Sequence, residues 1–218
     1  MTRRSLLTIL ALFLVGALFA AYAIAYLHNS PAPAHAGTGG TDQNGPVVDL
    51  KLTTVGAVGF GDHPNWVGYL PTGCGDTSCE TTFFKVPPNA TVRVTIDQQD
   101  SATGLRNEYL GLVRGTIGDT MTIKRDVDSS SKTVRAIDPS LAAHTFSVPD
   151  LGVNVPLLGT DSNNSKNTDN FITFEFKVPS SGIFHWQCFV PCGAGTLYGN
   201  GGPMQTLGYM DGQIEVQS

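Results

Sequence analysis

The sequence predicts an all-β fold, a sandwich or barrel of short strands. Three observations carry this reading. No segment after residue 27 repeats its apolar residues with a helical period. Runs of about four to eight residues alternate apolar and polar side chains instead, as strands with one buried face do. Turn residues separate these runs, among them 25 glycines and 13 prolines in a chain of 218. Roughly 170 residues follow the N-terminal segments, ample for one core of this kind.

Residues 1–28 read as a transmembrane anchor or export signal. Arg3 and Arg4 give a positive start, and residues 6–27 form an uncharged apolar run of about 22 residues, long enough to span a bilayer as a helix. The arginines should stay in the cytoplasm, which puts the bulk of the chain on the extracytoplasmic side of the cell membrane. A retained anchor suits the length of the run. A cleaved leader, giving a secreted domain, competes with it. Ala34-His35-Ala36 offers a small-x-small cleavage site, and Thr2-Arg3-Arg4-Ser5-Leu6-Leu7 resembles a twin-arginine export signal. Residues 29–46, rich in Pro, Ala, Gly and Thr, form a flexible linker, with His28 and His35 solvated in or beside it. Residues 47–218 form the folded domain.

The first strand is expected over residues 47–58, with Val48, Leu50 and Leu52 on one face. Residues 59–75 read as loop, Trp66 and Tyr69 capping one end of the core. His63, in an Asp-His-Pro turn, reads as solvated. Residues 83–86 form a strand ended by Pro87-Pro88, and residues 91–96 another, with Val92, Val94 and Ile96 alternating against Thr91, Arg93 and Thr95. Residues 97–107 read as polar loop. Shorter strand candidates at 109–113, 120–123 and 133–137 suggest a meandering insertion rather than core. Residues 171–178 make the clearest strand, with Ile172, Phe174, Phe176 and Val178 on one face. Residues 183–188 form the next, and residues 213–216 close the domain.

Composition excludes several functions. With 14% charged residues, a net charge of -5 and no basic stripe, nucleic acid is not an expected partner. No Gly-x-Ser-x-Gly elbow, His-Glu-x-x-His helix or phosphate loop is present. The Asp126/Asp128 and Asp161/Asp169 patches read as solvated turns, since they lack the spaced ligand run of a calcium loop.

Chemistry concentrates in the four cysteines and one histidine. Cys74 and Cys79 share a loop of small and polar residues, and outside the cytoplasm a structural disulfide between them is expected. Cys188 and Cys192 then remain. Phe184, Trp186 and Cys188 alternate onto one strand face, and Pro191 and Gly193 break the strand into a tight loop. Two thiols so placed either hold a soft metal or close a small disulfide. His144, on a strand face with Phe146 and ahead of Pro149 and Gly152, is placed as a metal ligand often is, although such a histidine taken alone is more often a core or cap residue.

Together, His144-Thr145-Phe146-Ser147-Val148-Pro149-Asp150-Leu151-Gly152 and the later Pro-x-x-Gly-x-Phe-x-Trp-x-Cys-x-x-x-Cys-Gly run over residues 179–193 resemble the cupredoxin family. Within it they are most similar to the copper domain of haem-copper (cytochrome c) oxidase subunit II, which also follows an apolar N-terminal helix. The likeness is sharp over residues 144–151 and 171–193 and diffuse over 47–96.

The resemblance implies a Greek-key β-barrel or sandwich, copper as cofactor and one-electron transfer. His144, Cys188 and Cys192 match ligand positions, and Val190 matches a backbone-carbonyl ligand. The pattern then wants a second His and a Met where this chain has Thr196 and Gly199. Met204 and Met210 are the remaining thioether candidates. With one imidazole a dinuclear purple centre is implausible, and the soft donor set favours Cu(I). His185 could supply a second imidazole only if a bulge re-aimed it, because strand parity sets it opposite Cys188.

The expected function is a membrane-anchored extracytoplasmic copper protein that moves one electron at a time. It would be no enzyme by itself, but a carrier or a subunit of a respiratory oxidoreductase, with a redox protein as partner. Two alternatives stand beside it: a metal-free cupredoxin-like interaction module with a Cys188–Cys192 disulfide, and a Cu(I) carrier that does not redox-cycle.

Overall fold

The computed structural model describes residues 15–18, 20–21, 45–71, 82–161, 163, 166–193 and 201–217. The chain divides into two units, residues 1–34 and 35–218. In the first, residues 15–18 and 20–21 are helical, and most of the apolar run lies outside the described residues. Among the described residues no helix is long and apolar enough to cross a membrane.

The second unit is all-β. Among its described residues, eleven strands run in the order β1 (Val47–Val55), β2 (Gly68–Pro71), β3 (Phe83–Val86), β4 (Thr91–Gln98), β5 (Met121–Arg125), β6 (Lys132–Val134), β7 (Ala142–Val148), β8 (Val153–Leu158), β9 (Asn170–Lys177), β10 (Gly182–Gln187) and β11 (Asp211–Val216). They form a six-stranded sheet, β2-β1-β4-β9-β5-β6, and a five-stranded sheet, β3-β11-β10-β7-β8. Both sheets are mixed: β1 pairs parallel with β4, and β3 parallel with β11.

Alternation decides what faces inward. In β9 the residues Ile172, Phe174 and Phe176 are buried while Phe171 and Lys177 are exposed, as the sequence pattern requires. In β4, Val92, Val94 and Ile96 are buried in the same way. Across the sandwich they meet an aromatic cluster from the other sheet. The Phe146 ring stacks on Trp186 with centroids 4.7 Å apart, and tilts against Phe174 at 5.5 Å. A truncation such as Phe146→Ala in so filled a core costs about 3–5 kcal/mol.

Several elements differ from the sequence reading. Residues 108–111 form a 3-10 turn rather than a strand, because the Asn107 side chain accepts the Tyr109 backbone N–H and starts the turn. Residues 121–125 belong to the core rather than to an insertion: β5 pairs with β9, and Met121 and Ile123 are buried. Part of the expected 59–75 loop is β2, paired antiparallel with β1. The β8 strand has no clear signature because Pro156 interrupts it. It lies at the edge of its sheet, where a missing N–H is tolerated.

Candidate metal centre

The site lies where β4 and β10 end and β7 begins. Register on β7 shifts between Ala142 and His144, and every residue of the strand is buried. His144 shares a strand face with the core residue Phe146, and both rings lie beside Tyr69. Cys188 follows β10 on the buried face it shares with Phe184 and Trp186. Its backbone N–H donates to the Met210 carbonyl at 2.9 Å, tying the start of the cysteine loop to the residue before β11.

The loop is pinned at several points. The Phe189 N–H donates to Thr145 Oγ1 at 2.8 Å, and Ser147 Oγ, in reach of both Thr145 Oγ1 and Asn154 Oδ1, continues the bonding to β8. Gly193 takes a left-handed conformation, φ 84°, and a Cβ there would approach Pro203 Cδ to 3.0 Å. Only glycine meets both demands without strain. The Cys192 N–H donates to Met204 Sδ at 3.1 Å, which sets that thioether against the loop.

Three donor atoms converge. His144 Nδ1 lies 3.1 Å from Cys192 Sγ and 3.8 Å from Cys188 Sγ, and the two sulfurs are 3.4 Å apart. An S–S bond is about 2.05 Å long, so the sulfurs are not joined to each other. Each thiol also lies near the Val190 carbonyl oxygen, Cys192 at 3.0 Å and Cys188 at 3.4 Å. Among the described residues, His144, Cys188 and Cys192 are the group whose ligand atoms all lie within 4.8 Å of one another, and all three are buried.

The electrostatics match this proximity. Burial disfavours a charged His144, but the hydrogen bond to Asp100 and the Cys188 sulfur outweigh it and raise its pKa to about 9. Burial likewise opposes a Cys188 thiolate, yet hydrogen bonding from Cys192 and His144 holds its pKa well below the usual thiol range. Cys192 moves the other way, raised first by its hydrogen bond to Cys188 and then by burial. Tyr69, fully buried with its hydroxyl donating to the Thr145 carbonyl at 2.9 Å, is kept neutral by burial and then by Cys188, Cys192 and Asp100.

The other candidates fall in different places. Met210 is buried next to β11, and its carbonyl rather than its sulfur is what the backbone bond presents to Cys188. His185 stays on the opposite face of β10, as parity requires, and donates from Nε2 to Asp211 Oδ1 at 2.6 Å. Cys74, Cys79, Thr196 and Gly199 lie outside the described residues. His63 stacks on Trp66 with centroids 3.7 Å apart. Asp126 and Asp128 are spent on local bonds to Thr168 and Arg125. Asp100 is the residue the sequence did not announce: its Oδ2 accepts from His144 Nε2 at 2.8 Å.

The donor chemistry suits a soft metal. One imidazole nitrogen, two cysteine sulfurs and a thioether beside the loop are ligands that copper takes, in preference to hard cations that want oxygen. The second nitrogen of His144 is held by a carboxylate, as in most metal-ligating histidines.

No protein-family model matches the chain, and no curated protein matches it. Among solved structures, reduced rusticyanin is 15% identical over 80% of this chain and 81% of its own, with a TM-score of 0.31. Rusticyanin from Thiobacillus ferrooxidans is 18% identical over 80% of this chain and 79% of its own, with a TM-score of 0.32. A chain of a haem-copper terminal oxidase dimer is 12% identical over 99% of this chain and all of its own, 100%, with a TM-score of 0.30. Likenesses at these values carry no chemistry over to this chain. Its own two mixed sheets, with His144 on β7 and the cysteine loop after β10, form a β-sandwich.

Proposed function

We propose that this protein binds one copper ion and exchanges single electrons through it. The observation that carries the reading is the buried convergence of His144 Nδ1 with the Cys188 and Cys192 sulfurs. These three residues would hold the metal. Met204 and the Val190 carbonyl are the weaker donors at hand, Met204 being favoured over Met210 by its sulfur's contact with the Cys192 N–H. Bound there, copper supplies one-electron redox chemistry between its cuprous and cupric states. The chain's own part is to keep the pocket dry and rigid. Trp186, Phe146 and Tyr69 exclude water behind the ligands, and the Thr145–Phe189 bond and Gly193 fix the loop.

The apolar run over residues 6–27, preceded by Arg3 and Arg4, supports a further part of the reading: an extracytoplasmic domain tethered to the membrane. A tethered one-electron carrier would hand electrons to or from a redox protein, alone or as a subunit of a respiratory complex.

Metal analysis and an absorption spectrum of the full chain test the proposal. One copper per chain and an intense visible sulfur-to-Cu(II) band are expected, both lost in Cys188→Ser. A colourless protein that takes up no copper contradicts it. A second reading rests on the 3.4 Å separation of the sulfurs, which a small movement could convert to a bond. In that case the domain is a metal-free module with a Cys188–Cys192 disulfide, and peptide mapping of the unreduced chain finds those two residues cross-linked to each other. A Cu(I) carrier without redox cycling would bind copper stoichiometrically and remain colourless.

A further inference from the structure

A metal-ligating imidazole is oriented by the partner of its other ring nitrogen, and the partner of His144 Nε2 comes from the end of the opposite sheet. His144 sits in β7 of the five-stranded sheet, with a side chain only 7% exposed. Asp100 lies just past the end of β4, in the six-stranded sheet, with a side chain 27% exposed. Between them Nε2 and Oδ2 are 2.8 Å apart, so the ring bridges the sulfurs on one side and a carboxylate on the other.

Asp100 is itself held by a buried polar chain. Gln98 and Thr54 are both fully buried, and the Thr54 hydroxyl donates to Gln98 Oε1. Gln98 Nε2 then donates to the Asp100 carbonyl at 2.8 Å, and the Thr160 N–H donates to the same oxygen at 2.9 Å. The Gln99 N–H closes back onto Thr54 Oγ1 at 3.2 Å. A buried amide and hydroxyl with a partner at each polar atom resist rearrangement, because a shift strands a polar group away from water. The carboxylate is thus presented to His144 from a fixed backbone position.

We propose that Asp100 is a positioning residue of this centre, set by Thr54 and Gln98, which holds the His144 ring with Nδ1 toward the two sulfurs. Holding Nε2–H on a carboxylate fixes both the ring's rotation and which nitrogen faces the metal. The effect on affinity rests on the copper reading above; the hold on the ring does not.

The test uses Asp100→Ala and the isosteric Asp100→Asn, whose amide oxygen can still accept from Nε2–H. Proton–nitrogen correlation spectra of the metal-free full chain read the His144 Nε2–H, and competition with a chromophoric chelator reads Cu(I) affinity. A slowly exchanging Nε2–H is expected in wild type and Asp100→Asn and absent from Asp100→Ala. Cu(I) affinity should fall about 10–100-fold in Asp100→Ala and recover most of that in Asp100→Asn. An Asp100→Ala protein that keeps the protected Nε2–H, or that binds Cu(I) as tightly as wild type, overturns the proposal. If wild type itself takes up no Cu(I), the copper reading fails, and the Nε2–H signal alone decides whether Asp100 holds the ring.

Discussion

Two histidine–aspartate pairs sit on this sandwich, and they differ in what faces the other ring nitrogen. His144 and His185 both donate from Nε2 to a carboxylate, at 2.8 Å to Asp100 and at 2.6 Å to Asp211. In the first pair Nδ1 points at two sulfurs inside the fold. In the second the histidine side chain is 43% exposed on the outer face of β10 and has no place in the sulfur cluster. A carboxylate partner alone therefore does not mark a metal ligand. Convergence of soft donors on the other nitrogen does. Burial also shifts the two pairs differently: it falls on the His144 imidazole in one and on the Asp211 carboxyl in the other, which it pushes above its ordinary range against the pull of His185.

Replacing each histidine should separate the pairs most sharply. His144→Ala is expected to abolish copper binding, while His185→Ala leaves the copper stoichiometry at the wild-type value, as metal analysis will read. In the metal-free protein His144→Ala leaves a carboxylate and two thiols without their ring, costing about 1–3 kcal/mol by denaturant unfolding. His185→Ala leaves the buried Asp211 carboxyl without its ring and should cost a similar amount, about 1–3 kcal/mol, with the copper untouched.

A smaller effect is expected at Met204. Met204→Leu should keep the copper and shift its reduction potential, as replacement of a weak axial thioether does; spectroelectrochemistry would show it. An unchanged potential would remove Met204 from the donor set. The smallest effect concerns pH. Because the folded Asp211 pKa lies above its usual value of 3.8, the group's contribution to stability is fully present below that value and is lost as pH rises through the folded one. Wild type should therefore gain stability relative to Asp211→Asn as the pH is lowered through that window, measured by thermal unfolding. A difference independent of pH would show that burial does not bear on that carboxyl.

The same contrast explains how much was legible in sequence. Strands buried on one face, such as β4 and β9, announce themselves because alternation is a local property of consecutive residues. The Cys188 side of the site was legible for the same reason, as was the separation of His185 from it. The β8 strand was not, since Pro156 breaks its pattern and its edge position excuses the proline. Asp100 was invisible because its meaning depends on a residue 44 positions away on the other sheet. Nothing in a polar loop distinguishes such a carboxylate from its solvated neighbours. The register shift before His144 is equally silent in the sequence.

The central claim is that one imidazole and two sulfurs jointly hold a single copper. Copper-edge X-ray absorption on the full chain loaded with one copper reads that shell directly. Two sulfur neighbours, one imidazole nitrogen and no copper–copper scattering are the predicted result. A shell of oxygen and nitrogen without sulfur, or a clear copper–copper distance, would contradict it.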